Sequence, residues 1–332
     1  MDGFGLKPKF VEEFLFKPKP PYNLHLTVKA YNFPWFFKNK KSIIPINIEN
    51  SNFLCLTYRG KQNLIHSKVY TVEDENTVKP QKIEEKIRFV LGLDEDLLNF
   101  YQMIWRDPIL YNVPKVLAGM RLRTTSLWNS LLIGVCQQNA NFLQGWRMVL
   151  NLHKLFGEKL NFFGKKIFLP PNPKTIVKYK DRLREARLGY RSKTIKKIAE
   201  TFLGEADFEK EVEKMGDRGA VEKLCLIKGV GEYTAKLALV FSQRRYSLLP
   251  IDRWLMRLAS KAYKIKKPNM RRVEKFLLKR WNGWCGLAVF FVTIVLDAEP
   301  ISLALKRLKK GELTPKLKSE KPTPLTMCKL LW

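Results

Sequence analysis

Polar and apolar residues alternate early in the chain, and from about residue 82 apolar residues recur every three to four positions. Leu24, Leu26, Val28 and Ala30 alternate with His25, Thr27 and Lys29, the period of a half-buried strand. Further strand-like runs lie at 42–48, 53–58 and 67–72, parted by Asn50-Ser51-Asn52 and Arg59-Gly60-Lys61. They predict an antiparallel sheet domain over 21–82, after a Lys/Pro-rich basic arm at 1–20. Beyond it Ile83, Ile87, Val90 and Leu91 share one helical face, with Glu84-Glu85-Lys86 away from it. Helices are predicted at 97–105, 127–138, 142–156, 174–185, 192–202, 208–215, 220–227, 231–241, 252–262, 272–281 and 286–296. Pro170-Pro171-Asn172-Pro173, Gly204, Gly216 and Pro268 punctuate them. The fold class is therefore α+β, with a helical core over 83–305. Residues 306–332 stay basic and contain proline, and read as a tail with little core of its own.

Charge changes this picture most. Lys and Arg number 61 against 31 Asp and Glu, a net charge of +30. A field of that size attracts polyanions, and a thermophile's charged surface would carry matching glutamate. A nucleic-acid partner is the expectation. Cys55, Cys136, Cys225, Cys285 and Cys328 are scattered and form no CxxC pair, so no zinc site, disulfide framework or iron–sulfur cluster is expected. His25, His66 and His153 fall in no metal-ligand spacing. The apolar run 287–296 contains Thr293 and is too short for a bilayer, and Met1–Lys7 lacks a signal-peptide core. An intracellular protein is expected.

One segment carries chemistry. Leu224–Ile227 ends a helix, Lys228-Gly229-Val230-Gly231 turns, and Glu232-Tyr233-Thr234-Ala235 opens a second helix. Two glycines permit a tight turn, and exposed N–H groups at a helix N-terminus bind an anion. Gly229, Val230 and Gly231 would grip a DNA phosphate, with Lys228 and Lys236 adding charge. Asp252 follows 252 − 233 = 19 positions after Tyr233, behind Pro250-Ile251. An Asp entering a helix is by default an N-cap, and capping also holds a carboxylate in place. Such a group stabilises the positive charge that builds on a sugar as its glycosidic bond breaks.

Residues 224–235 with 250–252 resemble the helix-hairpin-helix and following Gly/Pro-rich segment and Asp of the HhH-GPD DNA glycosylase superfamily. Lys228 departs from it, where members often carry proline. Residues 86–110 are similar to the core entry of 3-methyladenine DNA glycosylases. Leu188-Gly189-Tyr190-Arg191 and Trp284-Cys285-Gly286 are similar to segments of 8-oxoguanine DNA glycosylases. The resemblance covers about residues 20–300 and implies two helical subdomains around the hairpin, here at about 221–240.

The resemblance also implies an activity: excision of a damaged base from double-stranded DNA, with Asp252 assisting water and no cofactor beyond a monovalent cation at the hairpin. Bifunctional members carry a lysine where this chain has Tyr233, so a monofunctional enzyme is implied, with Tyr233, Trp254 and Trp284 around the base. A bifunctional glycosylase/AP lyase of 8-oxoguanine type, with Lys236 as the nucleophile, is the alternative, and a non-catalytic DNA-binding module a third. Gln137, Gln138 or Asn139 would fill the hole left in the stack, although Asn139 or Asn141 also suits a helix cap at Phe142. Arg191 would touch phosphate or the orphaned base. The Gln and Phe of 8-oxoguanine enzymes would fall at Val289 and Thr293, and the mismatch points to an alkylated base, held by cation–π attraction. A monomer is expected.

Overall fold

A computed structural model of the chain describes residues 8–31, 41–49, 51–71, 73 and 77–330. Strands β1 (Lys9–Phe16), β2 (Ser42–Ile48), β3 (Ser51–Arg59) and β4 (Ile65–Thr71) form an antiparallel sheet in the order β1-β4-β3-β2. Two expectations change here. The basic arm supplies β1, which pairs with β4 from Lys9↔Thr71 to Phe16↔Ile65. The alternating stretch 24–30 is a helix, α1 (Leu24–Lys29), capped by Asn23, whose side chain accepts from Leu26 N at 3.1 Å. The alternation reflects two buried helical faces. Leu24 and Val28, four apart, enter the sheet core, and Leu26 and Ala30 enter a helical core.

Helix α2 (Pro80–Leu91) lays Ile83 and Ile87 on the same sheet core. Successive residues of a strand face opposite sides. Ile44 and Phe53 therefore face α2, while Ile43 and Leu54 join the first helical core.

The helical part runs α3 (Leu98–Ile104), α4 (Val113–Val116), α5 (Leu127–Gln137) and α6 (Phe142–Phe156). A hairpin of β5 (Lys159–Phe162) and β6 (Lys165–Phe168) interrupts it. Its two-residue turn places Phe163 at φ 48° and Gly164 at φ 71°, both in the left-handed region such turns need. Next come α7 (Pro173–Lys178), a 3-10 turn at Lys180–Ala186, α8 (Arg191–Gly204), α9 (Phe208–Lys214), α10 (Asp217–Cys225) and α11 (Glu232–Gln243). The last four are α12 (Arg253–Ala262), α13 (Met270–Arg280), α14 (Cys285–Val295) and α15 (Ile301–Lys310).

These helices close two cores. The first gathers α5 to α11 and the β5–β6 hairpin, around residues such as Leu131, Val149, Ile198 and Leu224. The second gathers α3, α4 and α12 to α15, around Phe100, Leu258, Trp281 and Phe291. Charge does not keep the C-terminal stretch in solvent. Arg307, on α15, is buried with Asp297, Nη1 to Oδ2 being 2.7 Å, and its guanidinium donates to the carbonyls of Glu312 and Thr314 at 3.1 and 2.6 Å. That clamp turns the chain back. Leu313 and Leu325 then enter the second core and Met327 the first. The expected tail is thus part of the body as far as the described residues extend.

Candidate active site

The predicted hairpin is present: α10 ends at Cys225, and α11 begins at Glu232 with Gly231 in the N-cap position. Ile227 and Val230 point inward, while Lys228, Gly229 and Gly231 are exposed. Inside the turn, Val230 N donates to Ile227 O at 2.9 Å. Gly229 has φ 95°, and a Cβ built there would lie 2.1 Å from the Thr194 hydroxyl of α8. Any larger residue is excluded by both backbone and neighbour. Gly231 faces open space. The first N–H groups of α11 have no partner within the helix, so the turn presents donors beside the Lys228 charge.

Asp252 caps α12, its Oδ1 accepting from Leu255 N at 2.7 Å. It lies between the two helical cores, at a cavity of about 670 Å³ that Tyr233 also lines. Burial raises the Asp252 pKa above the ordinary carboxylate value, against the pull of the Leu255 and Trp254 N–H groups. Burial, and then the Asp252 charge, push the Tyr233 phenol far up, so it stays protonated. The walls are aromatic. Tyr31, Phe142, Trp146, Phe241 and Phe290 cluster on one side, with ring centroids 5.7–6.4 Å apart. Trp254 lines the cavity too, its indole tied to Glu299 O at 2.8 Å.

Other predicted residues sit elsewhere. Trp284 is a core side chain, 5.7 Å from Phe100 and 5.9 Å from Tyr246, and is not among the cavity walls. Lys236 is held between Glu232 and Glu274 at 2.8 and 3.0 Å, away from the cavity. Burial lowers its pKa, but those two partners outweigh burial and leave it raised. Arg191 is buried, and its guanidinium binds the carbonyls of Gln138 and Leu188. It braces the loop from within.

Gln138 is likewise engaged: its Nε2 donates to Gly229 O at 3.0 Å and to Thr234 Oγ1 at 2.9 Å. Gln137 lines the cavity beside Gly145. Asn139 is exposed, at φ 46°, with Nδ2 3.4 Å from the hydroxyl of exposed Tyr190. Asn141 caps α6, accepting from Gln144 N at 2.9 Å.

Sequence reasoning missed Tyr31 and the C-terminal wall, where Lys316, Ser319, Lys321 and Thr323 line the cavity. Nothing local marks either. Among the described residues no cluster of three or more His, Cys, Asp or Glu could hold a metal ion, and no helix is long and apolar enough to cross a membrane.

No protein-family model matches the chain. It is 27% identical over 242 residues to a DNA-3-methyladenine glycosylase of Bacillus subtilis, which covers 69% of this chain and 78% of that protein. A probable N-glycosylase/DNA lyase of Methanothermobacter thermautotrophicus is 21% identical over 254 residues, covering 70% and 80%. The 3-methyladenine DNA glycosylase of Archaeoglobus fulgidus superposes with a TM-score of 0.71 at 19% identity, over 84% of this chain and 96% of that one. The chain has the helix-hairpin-helix DNA glycosylase fold. The same glycosylase fold appears in the Clostridium acetobutylicum 8-oxoguanine glycosylase/lyase, bound to double-stranded DNA with cytosine opposite 8-oxoguanine. Its TM-score is 0.67 at 15% identity, over 91% of this chain and 99% of that one.

Proposed function

We propose that this chain is a base-excision-repair DNA glycosylase that extrudes a damaged, alkylated base and hydrolyses its N-glycosidic bond. The observation that carries the reading is Asp252, fixed by its cap at the edge of an aromatic cavity beside the hairpin. The hairpin and Lys228 would hold the sugar-phosphate strand. The extruded base would enter the cavity, with exposed Asn139 and Tyr190 at the duplex it leaves. Charge building on the sugar would be met by the Asp252 carboxylate, which also orients or deprotonates the attacking water. A cavity walled by Tyr31, Trp146, Tyr233 and Trp254 suits a cationic alkylated base, whose charge is attracted to ring faces.

Water as nucleophile fits Tyr233, which has no amine, and Lys236, which is held outside the cavity. A lyase reading has one observation in its favour: Lys321 lines the same cavity, and an amine there could form a Schiff base with the sugar. The test is a panel of duplexes, each with one defined lesion, assayed for base release with and without alkali and with borohydride. The expected result is release of alkylated purines with strand breakage only after alkali. Borohydride trapping onto Lys321 would establish the lyase instead, and binding without release from any lesion would reduce the chain to a DNA-binding module.

A further inference from the structure

Tyr31 reaches the cavity from the N-terminal part of the chain. It follows Ala30, the C-cap of α1, with φ 47°, a conformation rare for an aromatic residue and sustained only when its surroundings impose it. Two contacts do so. Its N–H donates to Pro324 O at 2.8 Å, so the two terminal segments meet at this residue. Its ring lies 5.7 Å from Trp146 and from Phe290, and 5.8 Å from Phe241.

The hydroxyl is also directed. Tyr31 Oη is hydrogen-bonded to Thr293 Oγ1. Thr293 Oγ1 in turn lies 2.9 Å from the Phe290 carbonyl, which can only accept. A threonine hydroxyl has one proton, and here it goes to that carbonyl. Thr293 therefore accepts the single Tyr31 proton, which leaves Tyr31 Oη with free lone pairs. Burial pushes the Tyr31 phenol pKa far up, so ionisation does not alter the arrangement. Both residues line the cavity that holds Asp252 and Tyr233.

We infer that Tyr31 is a specificity-determining acceptor, oriented by Thr293, which selects extruded purines that carry an exocyclic amino group. This rests on the glycosylase reading and adds the chemistry by which the base is read. A base without that group would cover the half-buried acceptor and leave it unpaired, and sites built for one hydrogen bond discriminate through that loss.

The test uses full-length protein and two duplexes, one with 7-methyladenine and one with 7-methylpurine, which has hydrogen in place of the amino group. The wild type should release 7-methyladenine with at least a tenfold higher kcat/KM. In Tyr31→Phe the ratio should fall to within about twofold, mainly by loss on the amino-bearing base. Thr293→Val, which keeps the shape but frees the Tyr31 proton, should lower the ratio in the same direction. Binding of duplex containing an abasic-site analogue should stay within twofold in both variants, a readout that separates base reading from a folding defect. Equal wild-type rates on the two duplexes, or a ratio unmoved by both substitutions, would overturn the inference while leaving the glycosylase reading in place. Release of no base from any lesion duplex would overturn both.

Discussion

At the residue scale the proposed chemistry turns on Asp252, which caps α12 and would serve the reaction with the same carboxylate. An Asn in its place still caps a helix, so Asp252→Asn should fold normally. It should lose about 10²–10⁴-fold in single-turnover base release, the range for removing a positioned acid–base group, with duplex binding retained. Undiminished release would remove Asp252 from the mechanism. The pH dependence follows from the direction of its shift. Its folded pKa is raised by burial, so the carboxylate form is reached at a higher pH than in an ordinary aspartate. Release should fall as pH drops through that raised value. Stability runs the other way. A group with a raised folded pKa stabilises most when protonated, below its unfolded pKa, and that contribution is lost as pH rises through the folded pKa. Asp252→Asn should therefore melt no lower than the wild type near neutral pH, and a clearly lower Tm would show that the charge stabilises the fold.

At the scale of elements, the α10–α11 hairpin was legible because its demands are local. A positive φ calls for glycine at 229, and glycine is among the residues favoured at a helix N-cap, the place of 231. The two glycines have different neighbours, which gives a test. Gly229→Ala meets both an unfavourable φ and the Thr194 hydroxyl, and should destabilise by about 1–3 kcal/mol in urea unfolding. Gly231→Ala meets open space and should stay within about 1 kcal/mol of the wild type. It should still weaken duplex binding at least fivefold, because a methyl group would stand where a phosphate approaches the N–H groups. An unchanged Kd in Gly231→Ala would show that the backbone does not meet DNA there. Helix α1 was misread for an equally physical reason. Its short apolar series faces two cores, Leu24 and Val28 one and Leu26 and Ala30 the other, and over six residues two helical faces look like one alternating strand.

At the scale of the whole molecule, a net charge of +30 would set the terms of the proposed encounter with DNA. Non-specific affinity should fall linearly in log Kd against log salt, with a slope near 0.9 per phosphate neutralised. Fluorescence anisotropy between 50 and 200 mM salt measures it, and a flat profile would undo the argument from charge. Charge did not foretell the path of the C-terminal stretch. Arg307 buried against Asp297, and Leu313, Leu325 and Met327 in the cores, bring a basic segment back to form a wall of the cavity.

By itself the sequence determined the α+β class, the helix-turn-helix hairpin and the place of Asp252 at a helix start. Each depends on residues close together in the chain, where backbone conformation and capping leave a short-range signature. Only the tertiary structure decided what surrounds the acid. Tyr31 and Thr293 lie 262 positions apart, Trp284 is taken by the core, Gln138 is tied to the hairpin at Gly229 O, and Arg191 is turned inward onto the Gln138 and Leu188 carbonyls. A cavity is a property of surfaces brought together by packing, and no periodicity in one segment records which distant side chain will face it.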